Sequence, residues 1–406
     1  MNNRHHIILL VVGALLSACA QAERDYHAEA LQIHEEVFTI DTHIDTPMLL
    51  VNEGWNIAEE HSPENDEKSC VDLPRMRKGG LDAAFFAVFV GQQERIQENY
   101  VLAQEEASLM IKAINTMCDT NPSTIRLATA PEQAFINERN KYLTAFIGIE
   151  NGFPVAKDIS NIKKYYDMGT RYITLCHTRN NDICDSSNDN PEHNGLSEFG
   201  KDVVKEMNAL GMIIDVSHIS DKSFFDVIGM STVPVIASHS SARAVCDNPR
   251  NMTDEMLLKL KENGGVIQMC ILSAYVKTPP ENKQREDEYA ALEKKYGPWA
   301  EIKDRETRDK YSSEWYAIGA KYPEDLATVN DFVDHIDHVV NLIGIDYVGI
   351  GTDFDGGGGL RDCRDVSELP NITAELLRRG YSKDDLEKIW GGNFMRVFRQ
   401  VIEKAE

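Results

Sequence analysis

The chain has 406 residues, 42% of them hydrophobic, and carries a formal charge of −24 at pH 7. Such a composition is ordinary for a folded protein with a large core. The acidic balance argues against binding to nucleic acid and against electrostatic binding to anionic lipid.

The amino terminus has the pattern of an export signal. Arg4 precedes an apolar run over residues 7–16, which is too short to span a bilayer and is typical of a signal peptide. The run ends in Leu16-Ser-Ala-Cys19, which resembles a bacterial lipoprotein box, and Ala20 favours the outer membrane. We expect residues 1–18 to be removed and Cys19 to anchor an exported protein at the periplasmic face. An ordinary secretory signal is the alternative.

The cysteines predict no metal site of their own. Without Cys19 seven remain, so at least one thiol is free or pairs between chains. There is no C-x-x-C motif. Three of the seven lie in apolar runs and are expected to pack as small hydrophobic residues: Cys176, Cys246 and Cys270.

Residues 19–33 are expected to form a linker and lead-in, and a helix is expected over residues 26–36. Eight apolar and β-branched runs then predict eight buried strands. They cover residues 38–43, 83–90, 143–149, 172–176, 212–217, 234–238, 266–271 and 347–351. Helical patterns lie between them; one is capped by Ser197 and closed by Gly211. Repeated strand–helix alternation favours a (β/α)8 TIM barrel over an open doubly wound sheet.

Two stretches depart from this alternation. Residues 94–140 contain a long helix and then an extra strand and helix around 124–139. Residues 277–323 are highly charged and predict a helical insertion near the barrel mouth, or else a solvated surface hairpin without a role.

Residues that can bind metals follow successive strands. His43 and Asp45 lie two apart on an extended segment and so face the same way. Glu150, His218 and His239 each end a later run. In a closed barrel such residues meet at one end, and a buried acid there needs a cation. For any single histidine, a hydrogen bond in the core is an equally good explanation. For five residues at matching places in the fold, a shared metal site is the better explanation.

Several motifs then resemble the membrane dipeptidase family of the metal-dependent amidohydrolase superfamily, over residues 34–402. They are His43-Ile-Asp45, Gly148-Ile-Glu150, Arg171-Tyr-Ile-Thr-Leu-Cys-His177, Asp215-Val-Ser-His218, Ser238-His239, Arg250-Asn251 and Gly349-Ile-Gly-Thr-Asp353-Phe-Asp-Gly356. Two departures are visible. Asn151 stands where the family commonly has glycine, and the 277–323 insertion is longer than in mammalian members.

The resemblance implies two zinc ions per chain. His43 and Asp45 would hold one ion, His218 and His239 the other, and Glu150 would bridge them. It assigns His177, Arg250, Asp353 and, by spacing alone, Tyr275 to substrate contacts, with Asp353, His177 and Glu150 catalytic. The expected reaction is hydrolysis of a dipeptide by a hydroxide that bridges the metals.

Other interpretations of the sequence stay open. The same binuclear site could hydrolyse other amides or β-lactams, or the chain could be a non-catalytic lipoprotein that binds peptide or metal. A homodimer is possible. His335 and His338 have a spacing that suits a metal but lie in a predicted helix, where packing is the favoured interpretation.

Overall fold

Nine parallel strands form the centre of the computed structural model, which describes residues 24–62, 69–299, 302, 305–323 and 325–405. They are β1 (Ile40–Ile44), β2 (Ala83–Phe89), β3 (Ile125–Leu127), β4 (Leu143–Glu150), β5 (Thr170–Thr174), β6 (Ile213–Asp215), β7 (Ile236–Ser240), β8 (Val266–Met269) and β9 (Val348–Ile350). Eight pair in the order β1-β2-β4-β5-β6-β7-β8-β9, and β3 pairs with the start of β4.

The two ends of this path meet and close a ring. Ile44 forms a parallel bridge with Phe354, just beyond β9. The backbone N–H of Asp353 donates to the carbonyl of His43 (3.0 Å), and that of Asp45 donates to the carbonyl of Phe354 (2.8 Å). The prediction of a (β/α)8 barrel is therefore confirmed.

The described residues form sixteen α-helices, most of them packed outside the ring. They are α1 (Tyr26–Glu36), α2 (Pro47–Leu50), α3 (Leu73–Gly79), α4 (Gln97–Thr120), α5 (Pro131–Arg139), α6 (Ser160–Asp167), α7 (Glu198–Leu210), α8 (Asp221–Met230), α9 (Asp254–Asn263), α10 (Ser273–Val276), α11 (Lys283–Tyr296), α12 (Arg305–Lys321), α13 (Val329–Ile343), α14 (Pro370–Arg378), α15 (Lys383–Glu387) and α16 (Asn393–Glu403). The lead-in helix and the extra β3–α5 unit match the sequence prediction.

Local sequence signals explain where helix α7 begins and ends. The Ser197 hydroxyl accepts a hydrogen bond from the backbone N–H of Gly200, which satisfies one of the free donors of the first turn. Gly211 ends the helix with a φ of 71°, a left-handed conformation that glycine adopts without strain. Both ends were predicted.

Aromatic side chains fill the amino-terminal half of the barrel. Phe85, Phe146 and Tyr172 point into the ring and stack on one another at centroid distances near 5 Å. Phe394 and Phe398 of α16 pack against them from below. The barrel is thus plugged at its amino-terminal end, which leaves the carboxyl ends of the strands for chemistry.

The charged segment after β8 forms the predicted helical insertion. Helices α11 and α12 are joined by ion pairs between Lys295 and Glu314 (2.6 Å) and between Lys321 and Glu288. The insertion follows α10, close to the carboxyl end of β8. It therefore leaves the barrel at the end where the site is expected.

All seven cysteines after Cys19 are unpaired, and Cys176, Cys246 and Cys270 are buried as predicted. Within the described ranges, no helix combines the length and the hydropathy of a membrane span. The predicted signal peptide and Cys19 lie outside the described residues.

Candidate active site

The five predicted metal ligands meet at the carboxyl ends of four strands. His43 belongs to β1, and Asp45 follows it directly. Glu150 is the last residue of β4, His239 lies in β7, and His218 comes three residues after β6. Each is at most 5% exposed. The barrel topology brings together residues that are far apart in the chain, as predicted.

Three of these residues form one cluster of donor atoms. His43 Nε2 lies 3.5 Å from Asp45 Oδ2 and 3.4 Å from Glu150 Oε2. One donor atom from each residue falls within 4.8 Å of the others. The arrangement has the dimensions of a site for a single metal ion.

The second cluster uses the other oxygen of the same glutamate. Glu150 Oε1 lies 3.0 Å from His218 Nε2 and 3.5 Å from His239 Nε2. The two imidazole nitrogens lie 2.7 Å apart. Glu150 therefore stands between two donor sets, with one carboxylate oxygen facing each.

The donor atoms fit a divalent cation. His43 Nε2 and Asp45 Oδ1 are buried and have no hydrogen-bond partner within the described part of the chain. Buried polar atoms normally have partners, so two orphan atoms on neighbouring side chains of one cluster indicate a ligand there. Imidazole nitrogen and carboxylate oxygen are donors that zinc accepts.

Electrostatics at the cluster also favour a cation. Burial lowers the pKa of His43, but the carboxylates of Glu150 and Asp45 raise it well above its ordinary value. Burial, assisted by the nearby guanidinium of Arg250, lowers the pKa of both His218 and His239. These two histidines are therefore neutral at pH 7, which is the form that binds metal.

Asp353 sits in a strained turn beside both clusters. Its φ is 65°, a left-handed value that is uncommon for residues other than glycine. A carboxylate oxygen of Asp353 lies within 4.8 Å of donor atoms of His43 and His239. Burial and the Asp45 carboxylate raise its pKa well above the ordinary value, so it holds a proton readily.

Gly356 allows this turn to approach the ligands. A side chain at this position would collide with the carboxylates of Asp45 and Asp353. The glycine after Phe354-Asp355 is therefore a requirement of the site, and not only of the turn.

His177 reaches the clusters from the loop after β5. Its Nε2 lies 3.6 Å from Glu150 Oε1, and the side chain is 22% exposed, more than any of the five ligands. The edge of Phe89 packs against its ring at 4.8 Å. Burial lowers the pKa of His177, so the ring is neutral at pH 7 and faces the open side of the site.

Arg250 lies behind the second cluster with its charge buried. It is 3% exposed and donates to the carbonyl of His239 (2.6 Å) and to the hydroxyl of Ser240 (2.8 Å). Its Nε has no partner, and no described residue forms an ion pair with it. Tyr275, predicted by spacing alone, places its ring 5.5 Å from the guanidinium.

Asn151 shows how the chain accommodates its departure from glycine. Its φ is 75°, and asparagine tolerates this region better than most residues. Its side chain donates to the carbonyl of Val90 (2.8 Å) and accepts from the side-chain amide of Asn181 (3.2 Å). The substitution thus ties the ends of β2 and β4 to the loop that carries His177.

The histidines of α13 have hydrogen-bond partners away from the two donor clusters. His335 is buried against the carbonyl of Val276 (2.8 Å) and the backbone N–H of Ala242 (3.1 Å). His338 pairs with Asp254 at 2.7 Å. The packing interpretation is confirmed.

Sequence reasoning missed a layer of polar residues beneath the ligands. The Tyr172 hydroxyl lies 2.9 Å from His43 Nδ1, and the Asp41 carboxylate accepts from Thr352 and from the backbone of His43. The Asp215 carboxylate likewise accepts a hydrogen bond from the backbone N–H of Ser238 in β7. The available signal was an acid in an otherwise apolar strand, since such a group requires several donors once it is buried.

A profile of the membrane dipeptidase family, peptidase family M19, matches residues 27–406. The chain belongs to this family. The resemblance drawn from the motifs is therefore confirmed.

Individual members show the same relationship. Dipeptidase 3 of Macaca fascicularis is 32% identical over 388 residues, covering 94% of this chain and 69% of its own. Dipeptidase tcpJ of Claviceps purpurea (strain 20.1) is 31% identical over 364 residues, covering 88% and 75%. The crystal structure of the probable dipeptidase PvdM from Pseudomonas aeruginosa has a TM-score of 0.81 and 31% identity, covering 94% of this chain and 99% of PvdM.

Membership in the M19 family defines the class of chemistry. The chain is a hydrolase of the metallopeptidase class, its substrate class is the dipeptide, and it uses a metal cofactor. The two donor clusters around Glu150 are the candidate positions for that metal.

Proposed function

We propose that this protein is a zinc-dependent dipeptidase with two zinc ions per chain. The observation that carries the proposal is the position of Glu150, whose two oxygens face separate sets of buried donors at 3.0–3.5 Å. His43 and Asp45 complete one set, and His218 and His239 complete the other. When bound, the two ions would polarise the peptide carbonyl and activate water for attack on it.

The residues around the clusters suit the remaining tasks. His177 is neutral and stands on the open side of the site, where its ring can donate a hydrogen bond to the carbonyl oxygen as negative charge develops. Asp353 has a raised pKa, so it can take a proton from the attacking water and pass it to the leaving amine.

Arg250 supports a substrate with a free carboxylate. A buried guanidinium without an acidic partner is costly, and a carboxylate is its natural two-point ligand. The orphan Nε is a donor available for such a ligand. Tyr275 lies beside the guanidinium and would line the same pocket.

The test compares a dipeptide with its carboxamide. Arg250→Met should lower kcat/KM for the dipeptide by on the order of 2–5 kcal/mol of transition-state stabilisation, because a desolvated charge pair is lost. It should lower kcat/KM for the amide much less. Zinc content should not change, because Arg250 is outside the donor set.

Arg243→Met is the matched control. Arg243 lies in the same loop but is paired with Asp221 (2.7 Å) and donates to the carbonyl of Asn251. Its loss should affect both substrates equally and should mainly lower thermal stability. If Arg250→Met also weakens acid and amide equally, Arg250 only holds the loop, through its bonds to His239 and Ser240.

The proposal extends to location. Residues 16–19 support export and lipid anchoring through Cys19, at the periplasmic face of the outer membrane. Zinc sites that rely on imidazole and carboxylate ligands, without cysteine, also suit an oxidising compartment.

A further inference from the structure

Asp215, at the end of β6, is a fully buried carboxylate without a cationic partner among the described residues. Four donors surround it instead. Its Oδ1 accepts from the backbone N–H groups of Ser217 (3.0 Å) and Ser238 (2.8 Å). Its Oδ2 accepts from the hydroxyls of Thr174 (2.5 Å) and Ser238 (2.6 Å). Four donors thus fill the acceptor positions of the two carboxylate oxygens.

The Ser238 hydroxyl connects this carboxylate to a metal ligand. A hydroxyl has one hydrogen, and the geometry commits it to Asp215. Towards His239 Nδ1, which lies 2.8 Å away, the oxygen can then only accept. His239 therefore carries its proton on Nδ1 and presents the lone pair of Nε2 to the cluster with Glu150 and His218.

We propose that Asp215 is a positioning residue that acts through Ser238 to fix the tautomer and the ring orientation of His239. This inference rests on the proposed two-metal site and adds a residue that controls one of its two ions. Partners of this kind typically change metal affinity about 10- to 100-fold.

The hydrogen bond between Ser238 and His239 should influence only the metal ion that His239 would hold. His43 Nδ1 faces the Tyr172 hydroxyl at 2.9 Å, and the Ser238 hydroxyl is farther away, at 3.4 Å. The ion held by His43 and Asp45 should therefore be affected little by changes at Asp215.

Asp215→Asn distinguishes tautomer control from simple packing. The asparagine oxygen can still accept both backbone N–H groups, while its NH2 group would donate to the two hydroxyls in place of Oδ2. The Ser238 hydrogen would then turn towards His239 Nδ1 and leave the ring proton on Nε2. Asp215→Asn should therefore weaken metal binding by His239 more than Ser238→Ala does. The alanine only removes a hydrogen-bond partner of Nδ1, whereas the asparagine favours the wrong tautomer.

Thr352→Val provides the matched control. The Thr352 hydroxyl donates to Asp41 at 2.5 Å, in a similar network that joins β9 to β1. Asp41 accepts from the Thr352 hydroxyl and from the backbone N–H groups of Thr352 and His43, all outside the cluster of His218 and His239. This variant should cost stability while it leaves the affinity of the cluster formed by His218, His239 and Glu150 unchanged.

The measurement is zinc binding by the purified chain in competition with a chelator, with 15N NMR of the zinc-free histidine rings. We expect wild type to bind two ions, and Asp215→Asn to bind one of them about 10- to 100-fold more weakly. Ser238→Ala should lie between the two. The His239 proton should be found on Nδ1 in wild type and on Nε2 in Asp215→Asn.

The possible failures can be told apart. A wild-type chain that binds fewer than two ions contradicts the proposed two-metal site itself. A wild type that binds two, together with an Asp215→Asn variant of equal affinity or unchanged tautomer, contradicts only the role of Asp215. Equal weakening in all three variants, including Thr352→Val, would show that the effect is structural and would overturn the proposal.

Discussion

At the residue scale, Glu150 is the group on which both donor clusters depend. Glu150→Gln should lower the occupancy of both metal ions, because an amide oxygen cannot balance two dications. His43→Ala should mainly lower the occupancy of one. The measurement is metal content per chain after dialysis against limiting free zinc.

The metal contents of Glu150→Gln and His43→Ala together test whether Glu150 bridges the two clusters. If Glu150→Gln keeps two zinc ions and normal turnover, the glutamate is not a bridge. If His43→Ala loses both ions, the clusters are coupled more strongly than their separate donor sets suggest.

The candidate metal ligands could be predicted from the sequence, but the polar residues that hydrogen-bond beneath them could not. His43, Glu150 and His239 each end or follow an apolar run, and barrel topology alone brings such ends together. Asp41 instead depends on Thr352, which lies 311 positions away in the chain. That contact requires the register of β9 against β1. Both strands are buried on both faces, so their continuous apolar runs do not determine this register. The positive φ values of His218 and Asp353 arise from the same tertiary constraints.

At the element scale, α1 is held to the barrel by a buried histidine. His34 Nδ1 donates to the carbonyl of Gly79 (2.8 Å), and Nε2 accepts from the hydroxyl of Thr373 (2.7 Å). Thr373 in turn accepts from the indole N–H of Trp390 (2.7 Å). Every polar atom of the ring is thus satisfied in the neutral form, and burial lowers the pKa of His34 to about 4.

This pKa predicts a loss of stability in mild acid. The unfolded chain binds a proton at His34 near pH 6.5, whereas the folded chain does so only near pH 4. The stabilisation is fully present above pH 6.5 and is lost as the pH falls towards 4. Relative to His34→Gln, the free energy of unfolding of wild type should fall by about 2 kcal/mol between pH 7.5 and 5, as urea titrations can measure.

The comparison between variants is necessary because other groups titrate in the same range. Burial raises the pKa of Asp41, Asp82 and Asp355 to about 6, and these carboxyls stabilise the fold as the pH falls. His27→Gln, on the exposed side of α1, should keep the pH dependence of wild type. An unchanged slope in His34→Gln would contradict the assignment.

The insertion formed by α11 and α12 should be dispensable for folding. Among its described residues, the buried apolar side chains are Leu292 and Ile302, and both lie outside the two core clusters of the barrel. The segments on either side of it are joined by a hydrogen bond from the backbone N–H of Ala327 to the Ser273 hydroxyl (2.6 Å). Replacing residues 281–323 with a short glycine–serine linker should therefore leave the zinc content unchanged and lower Tm by only a few degrees.

Kinetics of this deletion would locate the role of the insertion. A change confined to kcat/KM for dipeptides would assign it to substrate capture. Loss of folding or of zinc would show that the hairpin supports the barrel after all. The charge pattern of the sequence predicted the helices of the insertion. Because both helices are polar on nearly all sides, the pattern did not indicate which face of each helix packs against the rest of the protein.

At the scale of the whole molecule, the proposed anchor determines where the enzyme acts. Cys19→Ala should move the protein from the membrane fraction to the soluble exported fraction, because acyl chains provide the anchoring free energy. Fractionation followed by mass spectrometry of the mature amino terminus tests this. A wild-type protein that is already soluble, with an unmodified Cys19, contradicts the proposal.

The closure of the ring between β1 and β9 has a consequence for biosynthesis. The first strand is made early, but its partner on one side is completed only after residue 350. Until then, β1 and β8 each have an unpaired edge that could pair with another chain. An incomplete chain that ends before β9 thus exposes two adhesive edges, although it contains all five proposed metal ligands. Both edges are covered only when the chain has been made through β9 and Phe354.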